Sequence, residues 1–245
     1  SPASGARIEA RQFEAPEALA DIVESFWVGR WSLPEDAPHT TELLGDPCVH
    51  VVFERDFSRV VGVWTRRWVR TLAGQGCVRA VKLRAGAVSG LFHVSAHELN
   101  DGLHPLSSRF QVDVRALETR VLEPGADREG FSALAEFLIQ HRRPLDDAAG
   151  LAVRAVDSLN LDEHPTVQAW AASLGLTVRS MQRLFRRHVG ASPKFLLRRR
   201  RLQEAALRIE QGEAPNLAAL AAEMGYTDQA HFTRDMKAAA GVSPR

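Results

Sequence analysis

Two stretches near the end of the 245-residue chain set forked polar side chains at helical spacing. The first, "LTVRSMQRLFRRHVG", carries Arg179, Gln182, Arg183, Arg186 and Arg187. The second, "YTDQAHFTRDMKAAAG", carries Gln229, Ala230, His231, Arg234 and Lys237. A guanidinium can meet the O6 and N7 edge of guanine with two parallel hydrogen bonds, and a glutamine amide can do the same for adenine. Arg and Lys also neutralise backbone phosphates. The chemistry of such a comb is groove reading in duplex DNA. Its ordinary alternative is a solvated charged face, and either stretch alone would fit that alternative.

The elements around the combs are written twice. Val167, Trp170, Ala171, Leu174 and Gly175 match Leu217, Leu220, Ala221, Met224 and Gly225. Met181, Arg183, Phe185, Gly190, Ser192 and Pro193 match Phe232, Arg234, Met236, Gly241, Ser243 and Pro244, one residue further on. Each copy predicts a helix, a tight turn and a second helix. The apolar steps of three and four define a buried stripe. Gly175 and Gly225 can take positive φ and end the first helix. Thr177 and Asn216 are N-cap residues, as is Thr227 or Asp228. Gly190 and Gly241 stop the second helices, and Ser192-Pro193 starts another. Met181, Leu184, Phe185 and His188 are expected to point inward. Between the copies, Pro193 to Gln211 reads as one long helix with Phe195, Leu202, Ala205, Ala206 and Ile209 on its apolar side. Its run Arg198–Arg201 points in four directions at about 100° per residue, so at most two can face one duplex. At least one is expected to pair with an acid inside the unit.

The stretch from about Thr166 to Arg245 resembles the DNA-binding domain of the AraC family of bacterial transcription regulators. The resemblance rests on "LGLTVRSMQRLFRRHVGASPKFLLRRRRLQEAALRI" and "LAALAAEMGYTDQAHFTRDMKAAAGVSP". It implies that bases are read from Arg179, Gln182 and Arg183 in the first recognition helix, and from Gln229, Ala230, His231 and Arg234 in the second. Arg186, Arg187 and Lys237 would hold phosphates. Two such helices on one rigid unit suit successive major grooves, about 34 Å apart. Met236 departs from the Phe usual in the family, and Ala230 offers only a methyl group. Ser243-Pro244 is a fresh helix start, so the natural chain is expected to run past Arg245.

Charge is divided in the same sense. Residues 1–149 carry 17 basic against 21 acidic side chains, and residues 150–245 carry 14 against 9. A basic C-terminal part on a near-neutral chain suits an anionic partner. No apolar run approaches a membrane span. The opening "SPASGARIEA" lacks a signal pattern and a Met, and reads as a cut or processed end. Two cysteines, Cys48 and Cys77, make no disulfide framework, so a reducing cytoplasm is expected.

The N-terminal two thirds predict strands within Cys48–Asp56, Arg59–Gly74 and Cys77–Gly86, with another near Phe26–Leu33. "FEAPEALADIVESFW" reads as a short amphipathic helix, and Ser95 with Glu98 as a capping box that opens another helix. Val114–Leu122, Arg128–His141 and Asp146–Asn160 read as helices. The expected architecture is α+β. A β-rich sensor or dimerisation domain spans 1–107, a helical connector 108–160, and an all-α domain of two helix-turn-helix units joined by a long helix 161–245. The first part resembles, more loosely, the sensor domain of some AraC-family members. That implies an effector-binding or a dimerising role, in a monomer or a homodimer.

If Trp64, Arg66 and Trp68 face inward from one strand, they line an aromatic, cationic pocket for an acidic or aromatic effector. The opposite register makes the tryptophans core and the arginine solvated. His50, His93, His97 and His104, with Cys48 and Cys77, lack metal-ligand spacing, and no metal or other cofactor is expected. No phosphate loop, nucleophile elbow or paired-carboxylate constellation appears. The expectation is a transcription regulator that binds double-stranded DNA, with RNA polymerase and a small effector as further partners, and no catalysis. The alternatives are an enzyme, such as an alkyl-transfer repair protein, fused to a DNA-binding unit, or an architectural DNA binder without an effector.

Overall fold

β-Branched and aromatic residues make up half or more of β2 (Val23–Ser32) and β4 (His50–Glu54), and β7 (Gln75–Leu83) buries Val78, Ala80, Val81 and Leu83. In the computed structural model they form the centre of a six-stranded antiparallel sheet. With β1 (Arg7–Glu14), β5 (Arg59–Val61) and β8 (Leu103–Pro105) the strand order is β1-β2-β7-β4-β5-β8. A second sheet pairs β3 (His39–Leu43) with β6 (Trp68–Leu72). The structure describes residues 7–34, 36–43, 45–66, 68–213 and 216–240, with the side chains of 42, 43 and 237–240 left out.

The structure departs from expectation at residues 13–27 and 59–74. The stretch expected as a helix around residues 13–27 instead carries the end of β1, a short 3-10 turn at Glu17–Leu19 and the start of β2. The run from Arg59 to Gly74 is two strands in different sheets, with an irregular stretch between them that includes Trp64.

Helices α1 (Val114–Leu122) and α2 (Asp127–His141) pack on the large sheet. Phe131 of α2 lies 4.9 Å from Phe13 and 5.4 Å from Phe26, and Phe137 lies 6.2 Å from Phe53. At the start of α2, Asp127 accepts from Arg11 at 2.9 Å, from Arg79 at 3.0 Å, and from Arg30. Arg79 is 2% exposed, and its remaining donors satisfy the carbonyls of Val121, Leu122 and Pro124. One arginine thus ties the sheet to the end of α1 and the start of α2.

Helix α3 (Asp147–Asp157) leads into the repeat: α4 (Val167–Ser173), α5 (Val178–Leu184), α6 (Pro193–Glu210), α7 (Leu217–Glu223) and α8 (Gln229–Ala240). The first unit shares the core of the N-terminal part. Trp170, Met181, Phe185, Val189, Leu196 and Leu197 belong to the same buried cluster as Phe26, Phe53 and Phe137. The Trp170 indole donates to the Ala155 carbonyl of α3 at 3.1 Å. The second unit has its own small core of Leu202, Ala205, Leu220, Ala221, Met224, Phe232 and Met236. Helix α6 therefore begins in one core and ends in another.

Candidate DNA-reading surface and effector pocket

Local chemistry sets α5 and α8. Thr177 caps α5 by accepting from the Ser180 amide at 3.1 Å, after Gly175 has turned the chain at φ 67°. In the second unit, Asn216 caps α7, Gly225 turns at φ 76°, and Asp228 caps α8 by accepting from the His231 amide at 2.6 Å. Gly241, Ser243 and Pro244 lie outside the described residues. Met181, Phe185 and His188 are buried, while Leu184 is half-buried. With that face turned inward, Arg179, Gln182, Arg183, Arg186 and Arg187 are all exposed. Gln229, Ala230, His231 and Arg234 are exposed on α8, and Phe232 and Met236 are buried beneath them. The Lys237 side chain lies outside the described residues. His231 sits 3.6 Å from Asp235, and Arg234 donates to the Ala230 carbonyl at 3.3 Å.

The expected single helix over 178–189 changes pitch. Phe185–Val189 is a π turn, closed by a bond from the Gly190 amide to the Phe185 carbonyl at 2.8 Å. Such turns free carbonyls, and here the N-terminal part satisfies them. Ser95 Oγ donates to the Arg187 carbonyl at 3.2 Å, and the Asn100 amide donates to the Gly190 carbonyl at 2.6 Å. His97 completes a relay. Arg186 donates to His97 Nε2 at 3.2 Å, which leaves Nδ1 to donate to Ser95 Oγ at 2.8 Å. Glu98 accepts from the Ser95 amide as expected, at 2.9 Å, but the element this box opens is only a 3-10 turn at Ala96–Leu99.

The arginine run of α6 splits three ways. Arg198 donates to Asp235 of α8 at 2.6 Å, Arg199 to the Gly45 carbonyl at 2.8 Å, and Arg201 to the Pro165 carbonyl at 2.6 Å. Arg200 is exposed. Asp235 also accepts from Tyr226 at 2.9 Å, and burial together with that acidic neighbour pushes the Tyr226 hydroxyl up to about 12.

A pocket of about 360 Å³ opens between the N-terminal sheets and α6. Trp27, Trp64 and Trp68 form aromatic walls, and Arg59, Arg70 and Arg199 line it as well. Arg66 does not line it: its side chain is 80% exposed, 3.7 Å from Asp101. Because the chain is irregular between β5 and β6, strand alternation does not carry through Arg66. Arg70, one period beyond Trp68, takes the inward place and meets Glu54, which also accepts from Arg59 at 2.8 Å. Trp27 donates to His50 Nδ1 at 3.2 Å, and His50 Nε2 faces Asp46 at 3.4 Å. Burial works against the Asp46 carboxylate. The His50 hydrogen bond and the charges of His50, Lys82 and Arg199 outweigh it and hold Asp46 well below the usual range. Arg59 Nε and Asp46 Oδ1 are buried with no hydrogen-bond partner. Trp27, Arg59 and Arg199 carry no sequence signal for this pocket, because three separate elements bring them together.

Among the described residues no group of three or more His, Cys, Asp or Glu is placed to hold a metal ion, and no helix is long and apolar enough to cross a membrane.

Residues 170–245 match the helix-turn-helix domain family. That match falls on the duplicated units. The C-terminal third of the chain is an AraC-type domain. Residues 11–105, ahead of the AraC-type domain, match a domain of unknown function (DUF6597). The chain is 23% identical over 184 residues to the HTH-type transcriptional activator RhaS of Pectobacterium atrosepticum, covering 75% of this chain and 58% of that protein. It is 28% identical to a probable bifunctional transcriptional activator/DNA repair enzyme AlkA of Mycobacterium tuberculosis, over 69% of this chain and 35% of that protein. The chain thus spans little more than half the length of the first relative. A solved structure of ToxT from Vibrio cholerae aligns over 98% of this chain and 96% of its own, at 9% identity and a TM-score of 0.39.

Proposed function

We propose that this chain is a sequence-specific DNA-binding transcription regulator, with α5 and α8 entering successive major grooves. The observation that supports this best is the pair of exposed combs, Arg179, Gln182 and Arg183 on α5 and Gln229, Ala230, His231 and Arg234 on α8, each backed by a buried apolar face. Arg186, Arg187 and Lys237 hold phosphates in this reading. Selection of bound duplexes from a random pool tests it, followed by anisotropy titrations on the recovered site. Arg183→Ala is expected to lose about 1–3 kcal/mol on that site and to relax preference at one base pair. Recovery of no preferred sequence would sink the proposal, and uniform weakening on every duplex would make Arg183 a phosphate contact.

The tryptophan-lined pocket is the effector site in this reading. Aromatic walls, surrounding arginines and an orphaned donor and acceptor suit a planar molecule bearing an anionic group and a hydrogen-bond donor. Arg199 belongs to α6, the rod between the two units, so a ligand that engages it acts on both readers. A melting panel of aromatic acids checks this: a ligand specific for the native state raises the melting temperature, and Trp68→Ala abolishes the rise.

The non-catalytic reading is favoured over alkyl transfer by the state of the cysteines. Burial pushes the Cys48 thiol well up, with Asp46 adding to it, and burial pushes Cys77 up as well. Thiolate nucleophiles need the reverse. Fast thiol labelling near neutral pH at either cysteine would revive the repair reading.

A further inference from the structure

A cleft of about 680 Å³ lies between the first recognition helix and the N-terminal part. One wall comes from residues 89–98, another from the link between α2 and α3, and the third from α5 and its π turn. Four arginines converge there: Arg143 from the link, Arg183 from α5, and Arg186 and Arg187 from the turn. Among the described residues, none of the four has an ion-pair partner. The wall has two carboxylates, and each already serves a backbone amide: Glu98 accepts from Ser95 at 2.9 Å and Asp146 from Ala149 at 2.7 Å. Cations therefore exceed anions by two. Two of the lining residues also carry buried atoms that lack a hydrogen-bond partner, Arg143 Nη1 and Ser89 Oγ. Orphaned buried donors beside an uncompensated cationic cluster are what a bound anion would satisfy. Guanidinium forks match the oxygens of phosphate-type groups in particular.

We propose that this cleft binds a free multivalent oxyanion of the oligophosphate class, and that its occupancy competes with DNA. The competition rests on the DNA-reading assignment of Arg183, Arg186 and Arg187; the site itself does not. A phosphate of the duplex backbone has the same chemistry and is the rival source. The buried donors of Arg143 and Ser89 favour a compact ion that enters the cleft over a duplex held at its mouth. An anion that engages Arg183, Arg186 and Arg187 withdraws them from the groove, and by reciprocity DNA weakens the anion.

The test uses the full chain with tripolyphosphate as probe and Arg143→Gln and Ser89→Ala as variants, each checked for an unchanged melting curve. Calorimetry is expected to give one tripolyphosphate per chain, weakened about tenfold or more by either variant. DNA affinity for the selected site is then measured in tripolyphosphate and in chloride of equal ionic strength. The wild type is expected to lose about tenfold beyond the chloride control, a typical size for coupled sites, and Arg143→Gln to lose no more than the control. Tripolyphosphate binding that is absent in the wild type, or equal in wild type and both variants, overturns the site. If Arg143→Gln weakens DNA in chloride alone by a similar factor, the cleft seats a backbone phosphate, and the proposal of a free ion is overturned. A wild type that binds tripolyphosphate in an Arg143-dependent way but binds no duplex supports the site and overturns only the competition.

Discussion

Phe232→Ala should dissolve the second helix-turn-helix unit while leaving the first one standing. Phe232 is fully buried in a core of seven residues that has no member in common with the main cluster. Removing a buried phenyl ring costs about 3–5 kcal/mol through lost transfer energy and the cavity left behind. A core of that size rarely supplies more than about 3–5 kcal/mol by itself. The substitution therefore takes the local stability of α7 and α8 to about zero. The counterpart Phe185 is equally buried, 5.1 Å from Trp170, but within the core that also holds the sheet and α2. Phe185→Ala should appear as a lower midpoint for the whole molecule. Hydrogen exchange read by mass spectrometry separates the two cases. In Phe232→Ala, amides of 217–236 should exchange freely while those of 167–189 and β7 keep their protection. If Phe232→Ala strips α4 and α5 as much as α7 and α8, the two cores are one cooperative unit and the reasoning fails.

Asp127→Asn leaves Arg79 buried beside a neutral amide, and should cost about 3 kcal/mol in denaturant unfolding, since breaking a buried pair exposes the lone charge to desolvation. Burial opposes the Asp127 carboxylate, but its bonds to Arg30 and Arg79 hold it below the usual range. That stabilisation is present above about pH 4 and is lost as pH falls through the lowered value, so acid should weaken the wild type more steeply than Asp127→Asn; parallel curves would refute this. Gly190→Ala places a Cβ 2.7 Å from Asn100 Oδ1 at φ 82°, and should destabilise by about 1–3 kcal/mol. An unchanged unfolding midpoint would show that the clasp between Asn100 and the π turn carries no weight.

Local rules make the C-terminal third legible. Gly175, Gly225, Thr177, Ser192 and Asn216 each act within a few residues, so spacing alone reveals their roles, and the structure has them turning or capping as expected. Strand β1 is hidden from such rules because RIEARQFE is an almost wholly exposed edge strand with no apolar alternation. Period-two counting puts Arg66 with Trp64 and Trp68 because it assumes an unbroken strand, whereas the strand ends at Val61 and Gly62, packed against the Leu99 carbonyl, marks the break. The common core of the first unit and the sheet depends on contacts more than a hundred residues apart in sequence, such as those placing Trp170 and Phe26 in one cluster. No local pattern encodes that. The pocket and the cleft are illegible for the same reason, each being assembled from three distant segments.

The four consecutive arginines of α6 act as joinery. One fastens the second reader, one reaches the N-terminal part, one pins the segment ahead of α4, and Arg200 alone of the four has no partner among the described residues. A lysine run would keep every charge and lose the planar forks that let each side chain grip its own carbonyl or carboxylate. Counting all four arginines of the run as contacts to nucleic acid therefore overstates its grip, since three of them are engaged within the protein, and a charge-preserving swap should be felt first as a loosening of the frame.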